Sequence, residues 1–279
     1  MNKQEPSHTT KEPTMRVLVT GATGFIGQAV VDELVGAGHQ VVGLARNQDA
    51  VAKLAAQRAQ AHMGSLDDLE SLKRGAAACD AVIHLAFVHD FADFAGSCAK
   101  DKAAIEAMGS VLEGTHRPLI VTSATSLLAD LSGRLATRPA TEDDAVVVGA
   151  NPRAASEQPA LAFAQKGVRA IVVRLPPTVH GQGDHQFVPH MIRAARQHGK
   201  SVMVGDGSNR WSAVHRLDAA RLFRLALVAG LSIMTKKVSQ VKCAPASSPG
   251  GLDTMGKFKF WPMAMAMSRI GTPSSWTAW

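Results

Sequence analysis

RVLVTGATGFIG, residues 16–27, is the stretch of sequence that decides the fold. Its first five residues form a short β-branched run that stops at a glycine, a pattern that predicts a strand. Apolar residues then recur at helical spacing at Ile26, Val30 and Leu34. A second apolar run, QVVGL at 40–44, follows this predicted helix. About thirty residues are therefore predicted to form one βαβ unit with parallel strands.

The same alternation of strand and helix continues along the chain. We predict helices over 49–59, 66–77, 98–112 and 154–165, and strands near Ala61 and over 81–85, 119–122 and 168–173. Strands that are apolar throughout and alternate with helices are typical of a parallel sheet covered on both faces. The predicted fold class is α/β, a doubly wound parallel sheet of the Rossmann type. In such a sheet ligands lie at the carboxyl ends of the strands, where the strand order reverses.

Gly21, Gly24 and Gly27 follow a GxxGxxG spacing between the first predicted strand and helix. The first glycine permits a tight turn, the second lets the backbone approach a diphosphate, and the third lets the helix pack close to the sheet. The helix N-terminus adds free N–H groups and the positive end of a dipole. This turn predicts a dinucleotide site, and a glycine-rich turn without a ligand is the alternative.

The end of the second strand indicates which dinucleotide is favoured. An acidic residue there accepts from the ribose hydroxyls of NAD, whereas an arginine can contact the 2′-phosphate of NADP. The chain has Arg46 at this point and no acid before Asp49. NADP is therefore favoured, with NAD as the other candidate, and the alternative for Arg46 is a solvated charge at a strand end.

Four motifs occur in a fixed order: TGATGFIG at 20–27, GSLDDLESL at 64–72, AVIHLA at 81–86 and VTSAT at 121–125. Together they resemble the short-chain dehydrogenase/reductase superfamily, in its extended, epimerase/dehydratase-like branch. The segments 174–181 and 205–219 resemble the substrate-side loops of that branch, and we place the loops of the predicted domain at 176–216. The resemblance implies hydride transfer to or from a small-molecule substrate, namely a carbonyl compound, an alcohol or a sugar nucleotide.

The resemblance also implies roles for individual residues. Ser65 and Leu66 would lie by the adenine, Leu85 and Ala86 along the nicotinamide, and Ser123 in the place of the catalytic serine. The complete set of expected cofactor-binding residues is Gly21, Thr23, Gly24, Phe25, Ile26, Gly27, Arg46, Ser65, Leu66, Leu85 and Ala86.

The family's reaction uses a tyrosine as acid and base, with a lysine four residues later that lowers its pKa. This sequence contains no tyrosine. Arg153 takes the place of the tyrosine and Glu157 that of the lysine, so we expect Ser123, Arg153 and Glu157 to form an atypical catalytic group. An arginine cannot give up its proton at working pH and can only orient or polarise an oxygen. A purely structural ion pair between Arg153 and Glu157 is the alternative.

Other histidines offer a different proton source. His180 and His185 lie in the predicted substrate-side region, and an ordinary histidine pKa suits acid and base chemistry. His84, inside a predicted strand, is expected to be a core histidine with its hydrogen bonds satisfied. The histidines after residue 179 are irregularly spaced and have no carboxylate or cysteine partners in the sequence pattern. No metal site is therefore expected.

The charge distribution and the cysteine content limit which partners and which cellular compartment we expect. Six of the 30 Lys and Arg residues but one of the 23 Asp and Glu residues follow residue 230, which leaves a nearly neutral body. The sequence has no basic stripe that would indicate nucleic-acid binding, and no apolar run is long enough for a membrane span. Three scattered cysteines and a polar start without a signal-peptide run favour a cytoplasmic location. A homodimer is compatible with these features.

The predicted domain organisation has three parts. Residues 1–14 form a disordered extension, 15–228 the NAD(P)-binding domain, and 229–279 a divergent tail with no sustained strand or helix pattern after about Leu227. One codon choice for 231–238, read in a shifted frame, gives a plausible family strand. Our hypothesis is that a frameshift, a splice variant or a gene-model error produced this tail and left the small C-terminal lobe incomplete. A chance codon coincidence in a divergent tail is the alternative. Two further hypotheses about function stay open: a sensor that binds NADP without catalysis, and a structural remnant that binds no cofactor.

Overall fold

The computed structural model describes residues 13–128, 144–146, 149, 151–201, 212–229 and, for the backbone alone, 239–242. Most of the predicted N-terminal extension lies outside these residues. So do Trp211 of the predicted substrate-side loops and the tail beyond Lys242. The predicted domain boundaries therefore stay predictions.

Strands and helices alternate along the described chain. In chain order the elements are β1 (Arg16–Thr20), α1 (Phe25–Gly36), β2 (Gln40–Ala45), α2 (Gln48–Ala56), β3 (Gln60–Met63), α3 (Leu69–Ala77), β4 (Ala81–His84), α4 (Phe94–Ser110), β5 (Pro118–Ala124), α5 (Glu157–Ala164), β6 (Arg169–Leu175), β7 (Thr178–His180), α6 (Phe187–His198), β8 (Ala213–His215), α7 (Arg216–Ala229) and β9 (Ser239–Lys242). Two short 3₁₀ helices, Thr125–Leu128 and Pro152–Ser156, accompany them.

The main sheet has seven strands in the order β3-β2-β1-β4-β5-β6-β9, and all its pairs are parallel. The order reverses between β1 and β4, where Val17 pairs with Ala81 and Thr20 with His84. This confirms the predicted doubly wound α/β fold and places its crevice at the carboxyl ends of these two strands. A second, two-stranded parallel sheet pairs β7 with β8.

Successive residues of each central strand point to opposite faces of the sheet, and each face packs against its own apolar layer. Val17 and Val19 belong to a core shared with α1 and α7, whereas Leu18 faces a core shared with α3, α4 and α5. All three side chains are fully buried. Because both faces are covered, the central strands are apolar throughout rather than alternating, as expected of a parallel sheet. The edge strand β3 is mostly exposed.

Several element boundaries differ from the predictions. The predicted helix over 66–77 begins at Leu69, because the Asp68 side chain accepts from Ser71 N and caps it. The predicted helix over 154–165 is a 3₁₀ turn, Pro152–Ser156, followed by α5. Helices α6 and α7 and the short strands β7 to β9 were not predicted.

Strand β9 lies within the predicted divergent tail. The sequence predicted no sustained strand after Leu227, yet Ser239–Lys242 pairs with β6 as the seventh strand. Its four residues are too few to show a periodic pattern on their own. In the part of the chain that the structure describes, no helix is long and apolar enough to cross a membrane.

Candidate functional site

The turn between β1 and α1 depends on two glycines for its shape. Gly21 has a φ of +68°, a conformation that L side chains rarely adopt, and its carbonyl accepts from Gly24 N at 3.0 Å. A Cβ on Gly27 would lie 1.9 Å from Gly21 O. Side chains at 21 and 27 would therefore break the turn or push α1 away from the sheet.

Gly24 is required for a different reason. Its backbone is extended, with φ −78° and ψ 173°, so any residue could adopt it. A Cβ there would meet only Gly21 O, at 3.1 Å, among the described atoms, and the residue is exposed. Gly24 is the N-cap of α1, no side chain caps that helix, and its first turn has no acid. The open cradle and uncapped N–H groups fit a dinucleotide diphosphate.

The segment after β4 touches this turn. Leu85 N and Ala86 N both donate to Thr20 Oγ1 at 3.2 Å, and both residues are half-buried. A Cβ on Gly21 would lie 2.8 Å from Ala86 N. The structure therefore brings Leu85 and Ala86 against the glycine turn, and their contact with a nicotinamide stays a prediction.

Arg46, Ser65 and Leu66 lie at the neighbouring strand ends. Arg46 is exposed directly after β2, and no ion pair joins it to another residue of the described chain. Strands β2 and β3 pair in parallel up to Ala45 and Met63, so Ser65 follows on the same edge of the sheet. Ser65 Oγ accepts from Asp67 N at 3.2 Å, and Leu66 is buried. Arg46 and Ser65 therefore follow neighbouring strands on one edge of the sheet, where the Arg46 side chain is exposed.

His84 lies in a buried chain of hydrogen bonds behind the crevice. Its Nδ1 lies 2.7 Å from Thr20 Oγ1 and its Nε2 lies 3.1 Å from Asp101 Oδ1. Thr20 Oγ1 already accepts from two N–H groups, so its own proton goes to His84 Nδ1. Nε2 then carries the ring proton and donates to Asp101. The expectation of a satisfied core histidine is confirmed.

Asp101 joins this chain to Arg153. Arg153 Nη1 donates to Asp101 Oδ2 and its Nη2 donates to Thr122 O at 3.0 Å. Its guanidinium carbon also lies 4.1 Å above the centre of the Phe87 ring. Arg153 is therefore fixed on three sides, at the carboxyl ends of β4 and β5.

The Asp101 carboxylate should make folding sensitive to acid. Burial raises its pKa, but the hydrogen bond from His84 and the Arg153 charge outweigh burial, so the pKa lies below its ordinary value. A lowered pKa gives stability that is complete above the unfolded-state value and disappears as pH falls through the folded-state value. We expect Asp101→Asn to flatten the loss of unfolding free energy below about pH 4. Chemical denaturation at several pH values measures this, with Asp93→Asn as the exposed control. The prediction is contradicted if the unfolding free energy falls equally steeply with decreasing pH in the parent and in Asp101→Asn.

Ser123 and Glu157 form a second buried cluster. Ser123 Oγ donates to Glu157 Oε1 at 2.5 Å. Arg174 of β6 donates to both carboxylate oxygens of Glu157, at 2.9 and 2.7 Å. All three residues are buried, Arg174 to 1% exposure and Glu157 to 2%. The Ser123 proton is thus committed to Glu157, and the oxygen retains a lone pair that can accept.

Arg153 and Glu157 do not pair with each other, so that structural alternative is wrong. Arg153 pairs with Asp101 and Glu157 with Arg174. The physical reason is the 3₁₀ turn that holds Arg153, since residues four apart face each other only along a continuous α-helix.

Sequence reasoning missed an aromatic cluster between β4 and α4. Phe87, His89, Phe91 and Phe94 lie ring to ring, with centroids 5.1 to 6.3 Å apart. Phe91 is 58% exposed. Burial and the Arg153 charge lower the His89 pKa. The available signal was FVHDFADF at 87–94, three phenylalanines directly after a parallel strand.

The ring contacts of His180 and His185 are with residues other than Ser123. The His180 ring lies 5.5 Å from that of His215, and the His185 ring lies 6.4 Å from that of Phe25. No contact joins either histidine to Ser123, Arg153 or Glu157 in the described chain. Within the same residues, no group of three His, Cys, Asp or Glu could hold a metal ion.

Known proteins resemble this chain in both sequence and fold. Residues 17–238 match the sequence model of the NAD dependent epimerase/dehydratase family. Uncharacterized protein C2A9.02 of Schizosaccharomyces pombe is 52% identical over 213 residues, covering 76% of this chain and 70% of that protein. The 2-alkyl-3-oxoalkanoate reductase of Stenotrophomonas maltophilia is 33% identical, covering 77% of this chain and 66% of that enzyme.

Among solved structures, the Bordetella bronchiseptica enzyme WbmG in complex with NAD has a TM-score of 0.64 at 16% identity. The match covers 85% of this chain and 74% of that one. At this identity the likeness concerns the fold. The family match extends over most of the chain and includes the glycine turn, β4 and β5. The chain therefore belongs to the NAD dependent epimerase/dehydratase family.

Proposed function

We propose that the chain is an NADP-dependent oxidoreductase that holds the cofactor across the carboxyl ends of β1 to β4. The observation that carries this proposal is the open cradle at Gly24 over an uncapped helix N-terminus. The cofactor-binding residues of the proposal are those predicted from the sequence, from the glycine turn to Ala86. When bound, the dinucleotide supplies or accepts a hydride.

In this proposal a small carbonyl compound beside Arg153 accepts a hydride from the dinucleotide and a proton from water, and an alcohol loses both in the reverse direction. Arg153 is fixed by Asp101 and Phe87 and would donate hydrogen bonds to the reacting oxygen without giving up its proton. Ser123 would contact the same oxygen, and Glu157 would hold Ser123 in place. The exposed Phe91 offers an apolar surface for the rest of the substrate.

Names of relatives support the reductase assignment. Besides the 2-alkyl-3-oxoalkanoate reductase, a Streptomyces kanamyceticus 2'-dehydrokanamycin reductase is 30% identical over 224 residues. Both names describe reduction of a carbonyl group. Sugar nucleotides are the other substrate class of the proposal, because a second structure of WbmG holds NAD and UDP. A homodimer and a cytoplasmic location complete the proposal and stay predictions.

A sensor that binds NADP without turnover is the second candidate. The specific observation in its favour is that Arg153 replaces the tyrosine and is tied into a buried network, while the Ser123 proton is committed to Glu157. Neither group offers a proton to a product alkoxide. NADPH oxidation with a panel of ketones and aldehydes separates the candidates: turnover supports the enzyme, and tight binding without turnover supports the sensor.

The choice of dinucleotide is tested at Arg46. We expect the parent protein to bind NADPH at least about tenfold more tightly than NADH, because a charge-assisted hydrogen bond to phosphate contributes about 1.5–3 kcal/mol. Arg46→Asp should reverse this preference by repelling the 2′-phosphate and accepting from a ribose hydroxyl. Fluorescence titration with both dinucleotides measures it, and Arg58→Asp provides a control charge change. An unaltered preference in Arg46→Asp contradicts the NADP assignment.

A further inference from the structure

Arg216 is held beside the glycine turn by two contacts. It is the first residue of α7, and its guanidinium carbon lies 5.3 Å above the ring of Phe25, the first residue of α1. On the other side, a Cβ on Gly181 would lie 3.1 Å from Arg216 Cγ. The half-buried side chain therefore lies between Phe25 and the turn after β7.

Helices α1 and α7 run parallel and in register. Arg224 Nε donates to Glu33 Oε1 at 2.7 Å, and these two residues lie eight positions beyond Arg216 and Phe25, respectively. Contacts at equal spacing along both helices place their N-termini side by side. Arg216 is consequently at the carboxyl edge of the main sheet, next to the cradle at Gly24.

No acid in the described chain neutralises Arg216. Asp184, in the loop after β7, accepts from Gln186 N at 2.9 Å instead. Asp218, in the first turn of α7, forms no ion pair with Arg216 among the described residues. The five N–H donors of the guanidinium have no acceptor in this part of the molecule. A fixed cation with free donors at a diphosphate cradle has the chemistry of an anion ligand.

The loop after β7 closes on the same ring. The centroids of the His185 and Phe25 rings lie 6.4 Å apart, with the ring planes nearly perpendicular. His185 Nδ1 lies 3.2 Å from Gly183 O, which fixes the orientation of the ring. Arg216 and His185 thus both lie against the Phe25 ring, and both come from beyond residue 180 in the chain.

We propose that Arg216 binds the diphosphate of the dinucleotide and closes the substrate-side part of the chain over the cofactor. This inference rests on the proposed function and adds a cofactor ligand that the glycine motif does not contain. The backbone of α1 would contact one side of the diphosphate, and the guanidinium would contact the other. The dinucleotide would then contact both the glycine turn and the N-terminus of α7.

The experiment compares binding of three probes by calorimetry: NADPH, adenosine 2′-monophosphate and UDP. Arg216→Gln keeps an apolar stem against Phe25 but removes the charge. It should weaken NADPH binding by at least about tenfold. Binding of adenosine 2′-monophosphate, which has no diphosphate, should be unchanged. Arg216→Lys should recover part of the affinity, and Arg221→Gln, an exposed change on the same helix, is the matched control.

Each outcome decides the proposal. Parent-like NADPH binding by Arg216→Gln overturns the inference and leaves the proposed function standing. Weaker UDP binding with unchanged NADPH binding also overturns it, since Arg216 would then contact a substrate phosphate. Equal weakening of both adenosine 2′-monophosphate and NADPH would show a general loss of structure and reject a diphosphate contact. If the parent protein binds no dinucleotide, the proposed function fails together with the inference.

Discussion

Replacing Gly24 with valine is expected to weaken NADPH binding by at least about a hundredfold while the chain stays folded. Two backbone N–H groups that donate to a charged diphosphate contribute about 1.5–3 kcal/mol each, and each 1.4 kcal/mol is tenfold in affinity. The extended backbone of Gly24 is open to any residue, and its added Cβ would need a shift of a few tenths of an ångström from Gly21 O, the one described atom within 4 Å. The valine methyl groups would occupy the space that the diphosphate needs.

Gly36→Ala is the matched control for this change. Gly36 ends α1, and nothing lies within 4 Å of a Cβ placed there. Its NADPH affinity should equal that of the parent, and its unfolding free energy should rise by up to about 0.5–1 kcal/mol. Fluorescence titration and urea unfolding of both variants give the two quantities. A Gly24→Val protein with parent affinity would falsify the dinucleotide site at this turn.

The first half of the fold was predictable because its signals are local. Strand β1 was predicted with its observed bounds, since a β-branched run ends at a glycine that needs a positive φ. The parallel order then follows from the length of each crossover. Helix α7 carries a usable pattern as well, because Ala219, Ala220, Phe223 and Leu227 are buried at helical spacing. The three-residue strands β7 and β8 show no periodicity of their own.

The candidate site was predictable only in part, for a related reason. Glycine positions follow from the turn they form, so their geometry could be deduced from the motif. The partners of the charged residues could not, because Asp101 lies 52 positions from Arg153 and Arg174 lies 17 from Glu157. Such pairs depend on how helices and strands pack, which no local spacing reveals. The same limit hid Arg216, whose position beside Phe25 depends on the register of α1 and α7.

The second large effect is expected from Glu157→Gln, which should reduce the unfolding free energy by about 3–5 kcal/mol. The change is isosteric, so the amide oxygen can still accept from Ser123 or Arg174. It removes the charge of a carboxylate that accepts two hydrogen bonds from Arg174, however, and the Arg174 side chain is only 1% exposed. Breaking a buried pair of this kind costs much more free energy than a single hydrogen bond provides. Glu70→Gln, in an exposed pair with Lys73, is the matched control and should cost at most about 1 kcal/mol.

A double variant distinguishes a structural role of Glu157 from a catalytic one. Replacing both Glu157 and Arg174 with methionine removes the two charges together and should recover most of the lost stability. If Glu157 acts mainly by balancing Arg174, urea unfolding separates the single from the double variant. NADPH affinity should then change little in either one. If Glu157→Gln is instead as stable as the parent and loses only turnover, the buried pair does not determine stability, and Glu157 acts on the reaction through Ser123.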